Sequence, residues 1–250
     1  MKLLVSVVDG QEAEEAILGG AEIIDIKNPR EGSLGAQPPG KIVEIVSVVP
    51  PGVETSAAIG DVPNLPGTAS LAAAGAAQCG VSYVKVGLLH VASATDAMGL
   101  LTEVRLAVKA CNPMTRVVAC TYADMISGSC LSPTELASVA AAVHLDGCML
   151  DTARKDGKSL RTWIGTAELQ GFVFACRQAS LLCGLAGSLQ GLDFGWVRGL
   201  APDVVGVRGA ACMGDRLTGR VSKDRLAQIR QALFGSASRF DLRPHTLPRS

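Results

Sequence analysis

The sequence predicts an α/β fold, a single (β/α)8 TIM barrel in which eight parallel strands alternate with eight helices. The chain has 250 residues, 48% of them hydrophobic, a usual size for a barrel that forms one domain. Eight apolar runs alternate with eight stretches of helical periodicity. The competing architecture, an open doubly wound sheet, typically has fewer strands and often a glycine-rich first turn. The first turn here, Asp-Gly-Gln-Glu, lacks that dinucleotide fingerprint.

The strands are expected at the short apolar runs, because strands of a parallel barrel are covered on both faces. In order, they are residues 3–8, 22–27, 53–59, 82–87, 116–122, 147–151, 179–186 and 203–207. The helices are expected where apolar residues recur every three or four positions. They are residues 11–18, 39–49, 68–78, 94–110, 133–143, 160–178, 188–197 and 223–233.

Local signals mark several helix ends. Acidic residues in the first turn favour the first helix, and an Asn-Pro pair at 112–113 ends the long fourth helix. Ser132 as N-cap, Pro133 at the first helical position and Glu135 two residues later form a capping box. Gly171 is expected to interrupt the sixth helix. The barrel is therefore expected to span residues 1–234, and the polar residues 235–250 to form a poorly ordered tail.

Composition argues against several classes of protein. The formal net charge is zero, so nothing favours binding to nucleic acid. The apolar start is too short for a signal peptide, and prolines and glycines interrupt the longest uncharged stretch, so we expect no membrane span. The eight cysteines form no CxxC pair, which predicts buried free thiols in a reducing cytoplasm. The three histidines lack ligand spacing, so we expect no metal site.

Charges interrupt the apolar runs of the even-numbered strands. Asp25 and Lys27 lie two residues apart in the second strand and therefore share a face. Lys85 stands between two valines of the fourth strand, and Asp151 ends the sixth. Because alternate strands of a barrel fill the same layer, Lys27, Lys85 and Asp151 are expected to meet in one cleft at the carboxyl ends of the strands.

Such a cluster of charges has two interpretations. Neighbouring amines lower one another's pKa, and burial lowers it further, so that one lysine can be neutral and form a Schiff base with a carbonyl. The alternative is a structural network of ion pairs, which also perturbs pKa values. The strand ends alone do not say which lysine would be the nucleophile and which the base.

Small residues follow the last two strands. Gly187 and Ser188 come after the seventh strand, and Arg208, Gly209 and Ala210 after the eighth. In this fold these two loops commonly bind phosphate through backbone N–H groups. The alternatives are tight packing of helix against strand and, for Arg208, an ordinary surface arginine.

Three motifs resemble those of a known family. They are Ile-Asp-Ile-Lys-Asn-Pro-Arg-Glu-Gly-Ser-Leu-Gly-Ala at 24–36, Tyr-Val-Lys-Val-Gly at 83–87 and Met-Leu-Asp-Thr-Ala-Arg-Lys-Asp-Gly at 149–157. The family is (5-formylfuran-3-yl)methyl phosphate synthase, also called 4-(hydroxymethyl)-2-furancarboxaldehyde-phosphate synthase. The motifs are long and specific, and the resemblance covers about residues 1–234.

This resemblance implies a class I aldolase-like lyase that acts on phosphates. Two molecules of glyceraldehyde 3-phosphate would condense, with loss of one phosphate and two waters, to a furan precursor of methanofuran or of the related cofactor of methylotrophic bacteria. Lys27 would form the Schiff base and Lys85 would accept a proton, while Asp25, Asp151 and Lys155 would support them. No metal or redox cofactor is implied. The only partner implied is the small-molecule substrate. The resemblance leaves open whether the protein forms a homo-oligomer.

Two other functions compete. One is a different Schiff-base or phosphate-binding barrel, such as a triose- or deoxyribose-phosphate aldolase, whose simple aldol product would lack the ultraviolet absorption of a furan. The other is a catalytically silent scaffold that only binds sugar phosphate. The lysines and aspartate of the even-numbered strands argue against a scaffold, and trapping with borohydride would distinguish it.

Overall fold

The computed structural model of the chain describes residues 1–61, 63–126 and 128–235. Eight parallel strands close into a barrel in chain order, so the predicted fold is confirmed. The strands are β1 (Lys2–Val7), β2 (Ile23–Ile26), β3 (Glu54–Asp61), β4 (Tyr83–Gly87), β5 (Arg116–Tyr122), β6 (Gly147–Asp151), β7 (Leu182–Leu185) and β8 (Val204–Val207). The helices are α1 (Gly10–Leu18), α2 (Pro39–Val48), α3 (Pro66–Gln78), α4 (Ala94–Cys111), α5 (Pro133–Ala142), α6 (Thr166–Gln178), α7 (Asp193–Leu200) and α8 (Lys223–Phe234).

Alternation along the strands produces two apolar cores. Side chains such as Leu3 and Val84 pack outward between the strands and the helices. Side chains such as Tyr83 and Met149 pack in a smaller core inside the barrel. Lys85 is two residues from Tyr83, and it therefore points to the barrel interior, as predicted.

The helix that follows β6 differs from the prediction. A short 3-10 turn at Leu160–Thr162 comes first, and α6 then begins at Thr166. The expected interruption at Gly171 is wrong, because α6 continues through it. A glycine inside a helix costs only about 1 kcal/mol, and the buried Leu169 and Phe172 beside it hold the helix against the barrel. The capping box of Ser132 and Glu135 at the start of α5 is confirmed.

The last two units also differ. β7 begins only at Leu182, because Ser180 has a left-handed backbone conformation with a φ of 55°. α7 begins at Asp193 rather than near residue 188, because Gly187 and Ser188 also have positive φ angles, 111° and 50°. A small antiparallel hairpin that the sequence did not suggest follows β8. Its strands are β9 (Cys212–Met213) and β10 (Arg220–Val221).

Residues 236–250 of the predicted tail lie outside the described residues. In the ranges that the structure describes, no helix has the length and apolar composition needed to span a membrane. All eight cysteines lie in these ranges and are free, and six of them are buried.

Candidate active site

A pocket of about 270 Å³ opens at the carboxyl ends of the strands. Every residue that the sequence put forward lines it: Asp25, Lys27, Lys85, Asp151, Lys155, Gly187, Ser188, Arg208, Gly209 and Ala210. The predicted meeting of Lys27, Lys85 and Asp151 in one cleft is therefore observed. The chemical role of each residue stays a prediction.

Asp25 lines the pocket and is fully buried. The parallel register places Ser6 of β1 and Ser56 of β3 directly beside it. Their hydroxyl groups donate to the two carboxylate oxygens, at 2.9 and 2.8 Å. Lys85 Nζ lies 2.7 Å from Oδ1. Burial alone would raise the pKa of Asp25, but Lys85, Lys27 and these hydrogen bonds outweigh it and hold the pKa below its usual value.

The Lys27 amine interacts more weakly with the same carboxylate, because it lies farther away. Its Nζ lies 3.9 Å from Asp25 Oδ2, and only 6% of the residue is exposed. Burial is the main reason that the pKa of Lys27 falls to about 8; Asp25 opposes the fall, and the neighbouring charge of Lys85 adds to it. Roughly a tenth of the amine is then neutral at pH 7. Lys27 is thus buried, and part of it is present as the neutral amine, which is the nucleophilic form.

Asp151 forms a second carboxylate site across the pocket. Lys155 Nζ lies 2.8 Å from Oδ1, which also accepts a 2.7 Å hydrogen bond from the Thr152 N–H. The Ser33 hydroxyl donates to Oδ2 at 3.2 Å. Burial would raise the pKa of Asp151, but Lys155 and Lys27 outweigh it and hold the pKa well below the usual range. The carboxylate is therefore charged and fixed in orientation.

The loops after β7 and β8 bring backbone N–H groups to the pocket. Gly187 and Ser188 line it, and in the described part of the chain their N–H groups donate to no other protein atom. Gly209 and Ala210 open a short 3-10 turn, whose first N–H groups have no partner within the turn. These four N–H groups could contact an anion without moving a side chain.

Arg208 lines the pocket but is already tied to the protein. It is buried, and its Nη1 lies 2.9 Å both from Glu12 Oε2 and from the Ser6 carbonyl oxygen. Its Nε donates to the Arg216 carbonyl oxygen at 2.8 Å. Arg208 therefore joins β8 to β1, α1 and the hairpin, and a role in binding phosphate stays a prediction.

Sequence reasoning missed several polar residues of the pocket and its supports, among them two serines of the strands, one serine of a loop and an arginine of the hairpin. Ser6 and Ser56 are polar positions inside apolar strands, so the rule that found Lys85 could have found them. Ser33 belongs to the loop after β2. Arg216 lies between β9 and β10, where no periodic signal precedes it.

The donor set favours amine and carboxylate chemistry. Within residues 1–61, 63–126 and 128–235, no group of three or more His, Cys, Asp or Glu side chains is arranged to hold a metal ion. Instead, a buried amine with a lowered pKa lies near two fixed carboxylates and faces backbone donors. Such an arrangement could attack the carbonyl of a small phosphorylated compound and move protons around the product of that attack.

Fold and pocket together define a class, the (β/α)8 barrels with lysines and carboxylates at the carboxyl ends of their strands. Within it, the chain belongs to the 4-HFC-P synthase family, whose profile matches residues 3–230. The (5-formylfuran-3-yl)methyl phosphate synthase of Methanopyrus kandleri is 45% identical over 233 residues, or 93% of this chain and 98% of that protein. The enzyme of the same name from Methanocaldococcus jannaschii is 44% identical over 232 residues, covering 92% and 99%. The resemblance of the motifs is confirmed, and the family is one of enzymes.

Solved structures with a similar fold are distant in sequence. Orotidine 5'-phosphate decarboxylase from Pyrococcus horikoshii has a TM-score of 0.61 at 15% identity, covering 94% of this chain and 100% of that one. Phosphoribosyl anthranilate isomerase from Thermus thermophilus has a TM-score of 0.59, also at 15% identity, covering 93% and 98%. At these identities the likeness shows the barrel fold alone.

Proposed function

We propose that the protein is a (5-formylfuran-3-yl)methyl phosphate synthase that uses Lys27 as a Schiff-base nucleophile. Two glyceraldehyde 3-phosphates would condense to the furan phosphate, with loss of one phosphate and two waters, as a precursor of methanofuran or a related cofactor. The observation that carries the proposal is the buried Lys27 amine, whose pKa is lowered to about 8 inside the pocket. The names of relatives about 45% identical to the chain support the same product.

The first step makes an electron sink. Neutral Lys27 attacks the aldehyde of one triose phosphate, and loss of water gives a protonated imine. The imine withdraws electrons, so a proton on the adjacent carbon becomes removable. The enamine that results uses its electron pair to attack the aldehyde carbon of the second triose phosphate, and the oxygen of that aldehyde takes up a proton. Phosphate is then eliminated with the electron pair of a further C–H bond, whose proton a base removes. Dehydration then drives closure to the aromatic ring.

The surrounding residues have separate tasks in this scheme. Lys85 and Asp151 would exchange protons with the intermediates, and each such transfer is typically worth about 10²–10⁴-fold in rate. Asp25 sets the charge of Lys27 from 3.9 Å, and Lys155 holds Asp151 at 2.8 Å. The backbone groups of Gly187 and Gly209 would contact a substrate phosphate.

Product formation and trapping test this proposal together. The purified protein is incubated with glyceraldehyde 3-phosphate, and ultraviolet absorption and phosphate release are followed. A second sample is reduced with borohydride and mapped by mass spectrometry. We expect a furan product and a triose-derived adduct on Lys27. Lys27→Arg keeps the charge but forms no imine, so it should lose both signals while remaining folded; Lys41→Arg, at a partly exposed lysine of α2 outside the pocket, is the control.

Other outcomes would change the proposal. An adduct on Lys85 with Lys27 unmodified would reverse the two roles, and Lys85→Ala should slow turnover while Lys27 can still be trapped. If neither lysine is modified and Lys27→Arg keeps full activity, the Schiff-base mechanism is wrong. A product without furan absorption would favour a simple aldolase, and binding without any product would favour a scaffold.

A further inference from the structure

Arg216 is a cationic side chain of the pocket to which the mechanism above gives no task. The others that line the pocket, Lys27, Lys85, Lys155 and Arg208, each have a carboxylate within 4.0 Å. Among the residues that the structure describes, Arg216 has none at that distance. Its charge is therefore not balanced by a direct ion pair in the pocket.

The position of Arg216 is set by two loops. Its carbonyl oxygen accepts the hydrogen bond from Arg208, which fixes the backbone. Its side chain crosses to the loop after β2, where Nη1 and Nη2 donate to the carbonyl oxygens of Pro29 and Gly32 at 3.3 and 3.4 Å. These are long contacts to neutral acceptors. Burial lowers the pKa of Arg216, and Asp151 opposes that change; an arginine stays charged even so.

The proposed reaction needs more than one anion site. Two triose phosphates enter the pocket and one phosphate stays in the product, so one phosphate must be held while the other leaves. In the proposed function, the backbone N–H groups of the loops after β7 and β8 would supply one site. A guanidinium can hold a phosphate through two parallel hydrogen bonds, which neither lysines nor backbone groups reproduce in the same geometry.

We propose that Arg216 binds the phosphate of the second triose phosphate, the one that is not joined to Lys27. This inference rests on the proposed function, which supplies the two substrates. The side chain would exchange its long contacts with the carbonyl groups of Pro29 and Gly32 for charge-assisted bonds to phosphate. The second substrate would then lie between the loop after β2 and the hairpin that follows β8.

A probe that cannot react tests the binding site directly. Glycerol 3-phosphate has the phosphate but no carbonyl, so it forms no imine with Lys27. Isothermal titration calorimetry should show two equivalents bound to the wild-type protein and one to Arg216→Met. Arg30→Met is the matched control, because Arg30 lies exposed on the loop that Arg216 contacts but outside this pocket, and it should still bind two equivalents. Thermal denaturation checks that each variant is folded.

Kinetics then separate the second substrate from the first. Trapping at Lys27 needs one triose, so its dependence on glyceraldehyde 3-phosphate concentration should be the same in Arg216→Met and wild type. Furan formation needs both trioses, so its apparent KM should rise about tenfold or more with the loss of charge-assisted hydrogen bonds. Arg216→Lys keeps the charge but cannot form two parallel hydrogen bonds to one phosphate. Its apparent KM should therefore lie between those of wild type and Arg216→Met.

The two hypotheses fail in different ways. If Arg216→Met still binds two equivalents of glycerol 3-phosphate, or if trapping and furan formation decline together, the role given to Arg216 is wrong. A wild-type protein that makes furan but binds one equivalent also overturns it. If wild type makes no furan, yet one of two bound equivalents disappears in Arg216→Met, the phosphate site stands and the proposed function fails.

Discussion

Two buried carboxylates near the pocket, Glu12 and Asp25, bind their cations in different ways. Glu12 Oε2 accepts from the Val8 N–H at 3.0 Å and from Arg208 at 2.9 Å. Its Oε1 lies 3.9 Å from Arg220, so its short ion pair is the one with Arg208. Glu12 thereby joins α1, the end of β1 and the residue that follows β8.

Asp25 instead interacts with two amines, those of Lys85 and Lys27. Lys85 has the short contact at 2.7 Å, and Lys27 stays at 3.9 Å. The second amine is buried without full compensation, so its pKa falls to about 8. A carboxylate with one close cation holds that cation in a short ion pair, whereas a carboxylate shared by two amines leaves one of them with a lowered pKa.

The largest effect should come from removing the shared charge. Asp25→Asn keeps the size of the side chain but leaves two buried amines without their counter-ion. The pKa of Lys27 should fall further, because Asp25 raises it, and the orientation of both lysines should be lost. We expect kcat for furan formation to fall about 10²–10⁴-fold, as much as from the loss of a positioned acid–base group, because the lysines would no longer be held in place. A decrease of less than about tenfold would contradict this assignment.

Removing the other carboxylate should affect stability more than rate. Glu12→Gln leaves Arg208 buried without its partner, which typically costs about 3–5 kcal/mol. Urea denaturation should show that loss, while kcat of the folded protein should fall far less than in Asp25→Asn. If Glu12→Gln lowers kcat as much as Asp25→Asn without loss of stability, the contrast between the two carboxylates does not hold.

A third substitution keeps Asp25 and removes one of the two amines that interact with it. Lys85→Met removes both a neighbouring positive charge and the competitor for Asp25, so the pKa of Lys27 should rise above 8. Only the neutral amine attacks, so trapping with borohydride should rise with pH to a plateau above about pH 8 in wild type. In the variant the rise should come at higher pH. At pH 7 trapping should slow about tenfold for each unit of that shift, and a profile that stays in place would count against the competition.

The smallest effect should come from one of the two serines. Ser56→Ala removes a 2.8 Å hydrogen bond to Asp25 and leaves those from Ser6 and Lys85 in place. We expect a loss of stability of about 1 kcal/mol and a decrease in kcat of less than about tenfold. Ser70→Ala on the surface of α3 is the control and should change neither. A kcat decrease as large as that of Asp25→Asn would mean that Ser56 takes part in the chemistry.

Much of the fold and half of the pocket could be predicted because they depend on local periodicity. A charge set in an apolar strand must face the barrel when its neighbours face the helices, which is how Lys85 and Asp151 were found. The same rule applies to Ser6, but an uncharged serine in a strand is a weaker signal of a functional site than a charged residue. The boundaries near Gly187 were wrong because the left-handed φ angles there delay α7, and sequence alone does not fix those angles.

The amino-acid sequence alone predicts the barrel, the inward-facing charges of its even-numbered strands and the motifs that show the family. How those charges pair depends on the tertiary structure. Arg208 binds Glu12 across 196 positions of the chain, and Lys85 rather than Lys27 has the short contact with Asp25. Arg216 reaches Gly32 across 184 positions. Such contacts depend on barrel closure and on loops that cross its mouth, and no sequence period records distances between residues so far apart in the chain.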